Sequence, residues 1–456
     1  MKYKSTRGKA NNYSFEQAVL AGLSPDGGLF IPESIPQPPS DFLTKWASLS
    51  FQELALEVLS LYIDSTEIPR QDLKDLVDRS YATFRHQDIT PLHKIKDGLY
   101  ILELFHGPTF AFKDVALQFV GNLFEYFLKR KNKGIENKAD RHKITVVGAT
   151  SGDTGSAAIY GLRNKQDLQV FILFPTGRVS PIQEAQMTTV LDKNIHNISV
   201  GGTFDDCQDL LKGLFANKDF TNKYNLGAVN SINWARILVQ TVYYFHAYFS
   251  LLRSLNILPG SEQASKLQIT FSVPTGNFGD ILAGYYAHRM GLPTSKLLVA
   301  TNSNDILYRF FCTGICEKRV GENGGVYETL SPAMDIVVSS NFERLLFYLA
   351  RDVVVDNSSS SSASGVQQQE SDKDAQAGDI VNTWMMDLKL KGRFETGPKV
   401  LAEAKRIFDA ANTVVTIGEY SFPQDPSQAS YVMDPHTAVG VTAAQVVVPK
   451  TNSQNI

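Results

Sequence analysis

The chain has 456 residues, 43% of them hydrophobic, and its 44 Lys and Arg against 47 Asp and Glu give a formal net charge of −3. That length allows more than one domain, the apolar content is that of a globular protein with a buried core, and the charge supplies no electrostatic footprint for nucleic acid or an anionic membrane surface. Cys207, Cys312 and Cys316 form neither an even disulfide framework nor a zinc-ribbon spacing, so all three read as buried thiols in a reducing compartment and no metal is expected. Met1 to Arg7 hold no apolar signal core, Glu16 and Asp26 come early for an acidic-poor transit peptide, and no apolar run is long enough to span a bilayer, so the expected location is cytoplasmic.

Residues 1–90 read as a mostly helical front segment, with apolar residues at helical spacing over 51–63 and 70–84. From Leu99 onward, β-rich runs at 99–104, 144–147, 170–174, 197–200, 268–273 and 297–300 alternate with helical patterns. This alternation predicts an α/β fold of mainly parallel sheets flanked by helices.

Three segments within that frame carry chemistry. His106-Gly107-Pro108-Thr109-Phe110-Ala111-Phe112-Lys113-Asp114 sets one lysine among aromatic and small residues ahead of an amphipathic helix. Desolvation by Phe110 and Phe112 would leave more of Lys113 as free amine, able to attack a carbonyl such as the aldehyde of pyridoxal phosphate. The alternative is a lysine that only lies over apolar surface. The run 144–147 leads into Gly148-Ala149-Thr150-Ser151-Gly152-Asp153-Thr154-Gly155, and the run 268–273 into Pro274-Thr275-Gly276-Asn277-Phe278-Gly279-Asp280. Both are strand, glycine loop, helix units, whose amides at the helix start can seat an anion beyond the carboxyl ends of the strands. Further on, Ser358 to Gly365 and Gln367 to Gln369 lack apolar residues, so 357–378 is expected to be a disordered surface insertion, with phosphorylation as a regulatory alternative.

The same segments, with Ser5-Thr6-Arg7-Gly8, Ser14 to Val19, Gly22 to Pro32, Ser231-Ile232-Asn233-Trp234-Ala235-Arg236 and Asp434-Pro435-His436-Thr437-Ala438, give the chain its resemblance to a known family. It resembles the threonine synthases, in the tryptophan-synthase-β-like class of pyridoxal phosphate enzymes, and their fungal and enterobacterial branch more than the plant one. The resemblance implies a fold-type II pyridoxal phosphate enzyme, with a threonine synthase-type N-terminal domain at 1–90 and a catalytic domain of two subdomains at 91–456. It also implies pyridoxal 5′-phosphate as cofactor and O-phospho-L-homoserine as small-molecule substrate, converted with water to L-threonine and phosphate.

Carried over residue by residue, the resemblance makes Lys113 the Schiff-base lysine and proton shuttle. Gly276, Asn277, Phe278, Gly279 and Asp280 become the cofactor loop, although Asp280 alone also reads as a first-turn residue favoured by the helix dipole. Ser151, Gly152, Asp153, Thr154 and Gly155 look like the loop that grips the substrate carboxylate, where related enzymes often carry asparagine in place of Asp153. Asn233 and Arg236 are candidates for the substrate phosphate, one through an amide and the other through a bidentate guanidinium; pairing with a structural carboxylate is the alternative for Arg236. Arg178 and Ser180 are secondary phosphate candidates, and His106 a candidate for orienting the lysine loop. Tyr243, Tyr244, Phe245 and Tyr248 have helical spacing and read as core.

Two other outcomes stand beside threonine synthesis. A phospho-lyase or serine/threonine dehydratase of the same fold would stop after elimination and release a keto acid. A catalytically impaired relative is the other, because the family continues beyond the Asp-Pro-His-Thr-Ala motif into a strand and a Ser-Thr-Ala-His-Pro-type turn facing the pyridine nitrogen. Here 439–447 reads as a helix followed by the polar 448–456, which implies weak cofactor binding and slow turnover unless Thr451 or Ser453 substitutes.

Overall fold

The computed structural model describes residues 1–227, 230–319, 325–355, 366–413 and 431–447. Within these, two parallel sheets carry the fold. The first has four strands in the order Ile195–Val200, Leu168–Pro175, Ile144–Ala149 and Leu226–Gly227; the second has three, Phe408–Asn412, Lys296–Thr301 and Thr270–Pro274. Five of the six expected β-runs fall in these parallel sheets. The sixth, 99–104, instead forms an antiparallel hairpin with Leu92–Lys96, because the Asp97-Gly98 turn between them reverses the chain, with Gly98 at φ 74°.

The front segment is mostly helical, as its periodicity predicts. The helices Phe51–Tyr62 and Arg70–Tyr81 bury one face each, and Ser50 starts the first with a capping box in which Ser50 and Glu53 satisfy each other's amides. Tyr3–Ser5 and Phe30–Pro32 add a short antiparallel pair. Nothing separates this segment from the rest in packing terms. Its Phe15, Phe51 and Tyr62 belong to one continuous hydrophobic core with Trp234, Tyr286 and Phe408. At the centre lies the helix Trp234–Ser254, apolar nearly all round and buried against Phe51–Tyr62, Asp114–Lys131 and Gly279–Arg289.

Two expectations are corrected. Of the insertion 357–378, residues 357–365 lie outside the described residues, but 366–378 belong to the helix Val366–Leu390. The serine and glutamine composition hid what holds it. Glu370 and Asp374, one helical turn apart, both pair with Arg351, Asp374 also takes the Lys4 ammonium at 2.5 Å, and Ala377 is fully buried. Among the cysteines, Cys207 and Cys316 are buried but Cys312 is exposed, because Phe310 and Phe311 take the inward face of the helix Ile306–Thr313.

The helices Asp114–Lys131 and Asp153–Leu162 cross with backbones almost touching. A Cβ on Gly121 would sit 1.9 Å from the Gly161 carbonyl oxygen, and one on Gly161 2.5 Å from that of Leu117. The crossing brings Lys113, just before the first helix, beside Asp153 at the start of the second. Gly161→Ala should therefore cost at least about 1–3 kcal/mol, the ordinary penalty of overpacking, and disturb the pairing of Lys113 with Asp153. Gly213→Ala is the control: nothing lies within 4 Å of its added carbon, so it should gain about 0.5–1 kcal/mol from helix propensity. Denaturant unfolding of both variants measures the difference.

Candidate active site

The carboxyl ends of the two sheets face one cleft of about 2920 Å³, lined by Gly148, Ser151 and Asp153 from one side and Gly276 to Asp280 from the other. Lys113 projects into it. Its ammonium pairs with the Asp153 carboxylate and lies 5.2 Å from the centre of the Phe112 ring. Burial raises the Asp153 carboxyl, but the charge and hydrogen bond of Lys113, with His436 and the Thr154 amide, together outweigh it and hold the group below the usual carboxylate range.

Phe110 does not desolvate Lys113 as expected. It is 59% exposed and lies under Arg85, whose guanidinium sits 4.1 Å from the ring centre. Arg85, not His106, ties down the lysine loop. Its amide donates to the His106 carbonyl at 2.9 Å, and its side chain donates to the carbonyls of Gly107 and Pro108. His106 turns instead to Glu103 at 2.8 Å. From inside, buried Asp114 accepts from the Thr109 amide at 2.7 Å and the Thr109 hydroxyl at 2.8 Å. Gly107 makes room for it, since a Cβ there would lie 2.4 Å from that of Asp114.

The Ser151–Gly155 loop spends its amides on itself. Thr150 Oγ1 accepts from Gly152 at 3.0 Å and Gly155 at 2.8 Å, and Asp153 Oδ1 accepts from Thr154 at 2.8 Å. Those three donors are not available to a substrate carboxylate. What the loop presents to the cleft is Ser151, Asp153 and Thr154.

The Gly276–Asp280 loop is arranged the other way. Its carbonyls are taken up from behind: Ser339 Oγ donates to Gly276 O at 2.7 Å, and Asn341 donates to Asn277 O from its amide at 3.1 Å and its side chain at 3.0 Å. The amides of Gly276, Asn277, Phe278 and Gly279 donate to no described residue, and they stand at the positive end of the helix Gly279–Arg289. The side chains of two loop members face elsewhere. Phe278 is core, 5.2 Å from the Phe342 ring and 5.9 Å from Phe408. Asp280 accepts from the hydroxyls of Tyr243 at 2.6 Å and Tyr244 at 2.9 Å, and burial raises its carboxyl. It anchors the helix start to the tyrosine pair, and both tyrosines are buried as expected.

Arg236 and Asn233 separate. Asn233 caps its helix by accepting from Ala235 N at 3.1 Å and donates to Val19 O at 2.8 Å, and it does not line the cleft. A residue at the N-cap is committed to the helix amides, which removes Asn233 from the phosphate candidates. Arg236, one turn on, lines the cleft while buried, and its Nε and Nη1 have no hydrogen-bond partner. Burial lowers its guanidinium to about 10, opposed by Asp153. Arg178 also lines the cleft, whereas Ser180 caps its own helix. His436 was missed, although its motif was visible. It accepts from the Ala333 amide through Nε2 at 3.2 Å, which leaves Nδ1 to donate to Asp434 at 3.0 Å.

A lysine amine, four free amides at a helix start and an unpartnered guanidinium suit an aldehyde cofactor with a phosphate arm and an anionic substrate. Comparison with known proteins agrees. Residues 2–81 match the family model "Threonine synthase N terminus" and residues 84–370 match "Pyridoxal-phosphate dependent enzyme". Over its whole length the chain is 54% identical to threonine synthase of Schizosaccharomyces pombe, covering 85% of that protein. The chain belongs to the threonine synthase family. The solved structure of the family member from yeast matches with a TM-score of 0.88 at 50% identity, covering 99% of this chain and 85% of that one. That of the pyridoxal phosphate-bound member from Brucella melitensis matches at 0.84 and 41%, covering 99% and 87%. The fold is therefore fold-type II, the cofactor is pyridoxal phosphate, and the activity is the family's, threonine formation. Among the described residues no group of His, Cys, Asp and Glu could hold a metal, and no helix is long and apolar enough to cross a membrane. Thr451 and Ser453 lie outside the described residues.

Burial raises the Asp114 carboxyl from 3.8 to about 6, against the opposing Thr109 donors. The folded chain therefore holds that proton more tightly than the unfolded chain. The group's contribution to stability is complete below pH 3.8 and is lost as the pH rises through about 6. Stability of the native sequence relative to Asp114→Asn should accordingly fall across that window and level off above it. Parallel pH–stability curves for the two proteins would contradict this.

Proposed function

We propose that this family member converts O-phospho-L-homoserine and water to L-threonine and inorganic phosphate, the last step of threonine biosynthesis. The observation that carries the reading is the buried Arg236 guanidinium, with two donors unsatisfied, in the same cleft as Lys113. Burying such a cation without a counter-charge is costly, and an anionic group of the substrate offsets that cost on binding. We further read 1–90 and 91–456 as the N-terminal and catalytic domains, and the cytoplasm as the location; the matched ranges support the division.

When bound, pyridoxal phosphate would supply the electron sink that lets protons leave the amine-bearing carbon and the carbon next to it. Lys113 holds the cofactor and, once displaced by the substrate amine, takes and returns those protons at Nζ. Asp153 orients that amine through their ion pair. The amides of Gly276 to Gly279 seat the cofactor phosphate, Arg236 binds the substrate phosphate, and the Ser151 and Thr154 hydroxyls face the substrate carboxylate. Phe278 and Asp280 hold the seat in place from behind.

Incubation with O-phosphohomoserine, assaying threonine, phosphate and keto acid together, tests the reading; keto acid with ammonia would mark a dehydratase instead. Lys113→Ala should abolish turnover and the absorbance of lysine-bound cofactor in a folded chain. Arg236→Met should raise KM about tenfold or more, from loss of a charged hydrogen bond worth roughly 1.5–3 kcal/mol. The same change should raise the melting temperature of the cofactor-free chain, because two unsatisfied buried donors disappear.

A further inference from the structure

The segment Ser339-Ser340-Asn341-Phe342-Glu343-Arg344 carried no signal in the sequence, yet it touches both halves of the site and the front segment. Asn341 is fully buried between two loops. Its side-chain amide donates to Asn277 O at 3.0 Å and to Ser231 O at 3.1 Å, and its Oδ1 accepts from Arg344 Nη1 at 2.5 Å. An asparagine side chain has two N–H groups and one carbonyl oxygen, so both donors are committed and the oxygen is held by Arg344. Arg344, also fully buried, uses its other nitrogens on Ile232 O at 2.7 Å and Phe30 O at 2.9 Å. Ser340 repeats the bridge, donating to Asn277 Oδ1 at 3.2 Å and lying 3.3 Å from Ser231 Oγ.

On one side of this bridge is the loop that offers free amides to the cofactor phosphate. On the other is the Ser231-Ile232-Asn233 turn that starts the helix carrying Arg236. The next residue, Glu343, receives the Thr6 hydroxyl at 2.6 Å and the Arg7 guanidinium through two bonds of 3.1 Å. These contacts give the N-terminal Ser5-Thr6-Arg7-Gly8 motif, otherwise remote from the chemistry, a physical route to it.

We propose that Asn341, locked by Arg344, is a positioning residue that sets the spacing between the phosphate seat at Gly276–Gly279 and the anion site at Arg236, and that the N-terminal motif supports it through Glu343. The proposal rests on the reading of Gly276–Gly279 as that seat. Loosening the bridge leaves Lys113 and Arg236 intact but lets the Gly276–Gly279 loop and the Ser231–Asn233 turn drift apart. Binding of cofactor and of substrate then weakens together, while the rate at saturation changes little.

The test uses the full chain with Asn341→Asp, which keeps the acceptor for Arg344 and removes both donors, and Arg344→Lys, which keeps the charge and loses the fork. Affinities for pyridoxal phosphate and for pyridoxal are titrated by absorbance, together with KM, kcat and the melting temperature of the cofactor-free chain. Each variant should bind pyridoxal phosphate about tenfold more weakly, the size of one or two net hydrogen bonds. Its preference for pyridoxal phosphate over pyridoxal should shrink by the same factor, and KM should rise with kcat at saturation nearly unchanged. Unchanged preference and KM in folded variants, or failure of both variants to fold, would overturn the proposal. Gly276→Ala, whose added carbon would meet the Ala333 carbonyl at 2.6 Å, separates the two readings. If it too leaves the preference unchanged, the seat is misassigned; if it alone lowers the preference, the seat stands and the positioning role falls.

Discussion

The contact on which the site depends is made of two glycines far from any ligand. With Gly121 and Gly161 carrying no side chains, the helices Asp114–Lys131 and Asp153–Leu162 approach to backbone contact, a separation that any Cβ would prevent. Because both helices begin at the cleft, their closeness at Gly121, midway along the first, and Gly161, near the end of the second, constrains the distance between their starts. Lys113 and Asp153 meet there. The lysine loop is then held from outside by Arg85 on its carbonyls and from inside by Asp114 on Thr109, so its last free variable, the direction of the lysine, is set by the fold.

Two buried arginines show how packing separates structure from function. Burial lowers both Arg236 and Arg344 to about 10. Neither has a carboxylate in contact, yet Arg344 places its nitrogens on two backbone carbonyls and an asparagine oxygen, while Arg236 keeps two donors unmet. A satisfied buried cation is a tie between elements. An unsatisfied one that lines a cleft, as Arg236 does, has the chemistry the proposed anion site calls for, since a ligand there would complete its hydrogen bonding.

Much of this was legible from the chain alone. Short β-rich runs alternating with helical patterns mark buried parallel strands, and five such runs fall where the pattern put them, two of them leading into glycine loops. Lys113 and Gly276 to Gly279, which the structure brings to one cleft, could be singled out because their residue types stand out in the chain. What was not legible depends on direction rather than identity. Asn233 and Arg236 lie in one motif, but only the structure shows that a cap position consumes the first and a cleft-facing turn frees the second. Likewise the glycines of 151–155 look like anion donors until Thr150 is seen to take two of their amides. Low-complexity composition misled over 366–378, where three residues in each turn say little and the fourth, Glu370 or Asp374, makes the ion pair.

Three acids lie near the chemistry, and their surroundings push them apart. Asp114 is raised because burial outweighs the donors that oppose it, whereas Asp153 is lowered because the lysine and its other partners outweigh burial. Asp280, buried and raised, faces only tyrosine hydroxyls. Were Asp280 directed at the cleft, its charge would oppose a phosphate on the amides one residue away. Turned onto Tyr243 and Tyr244, it stays at the positive end of its helix, where it stabilises the helix start, without occupying the amides proposed to seat the cofactor phosphate. The free amides and the buried acid are thus compatible only because the tyrosine pair, on a neighbouring helix, draws the carboxylate aside.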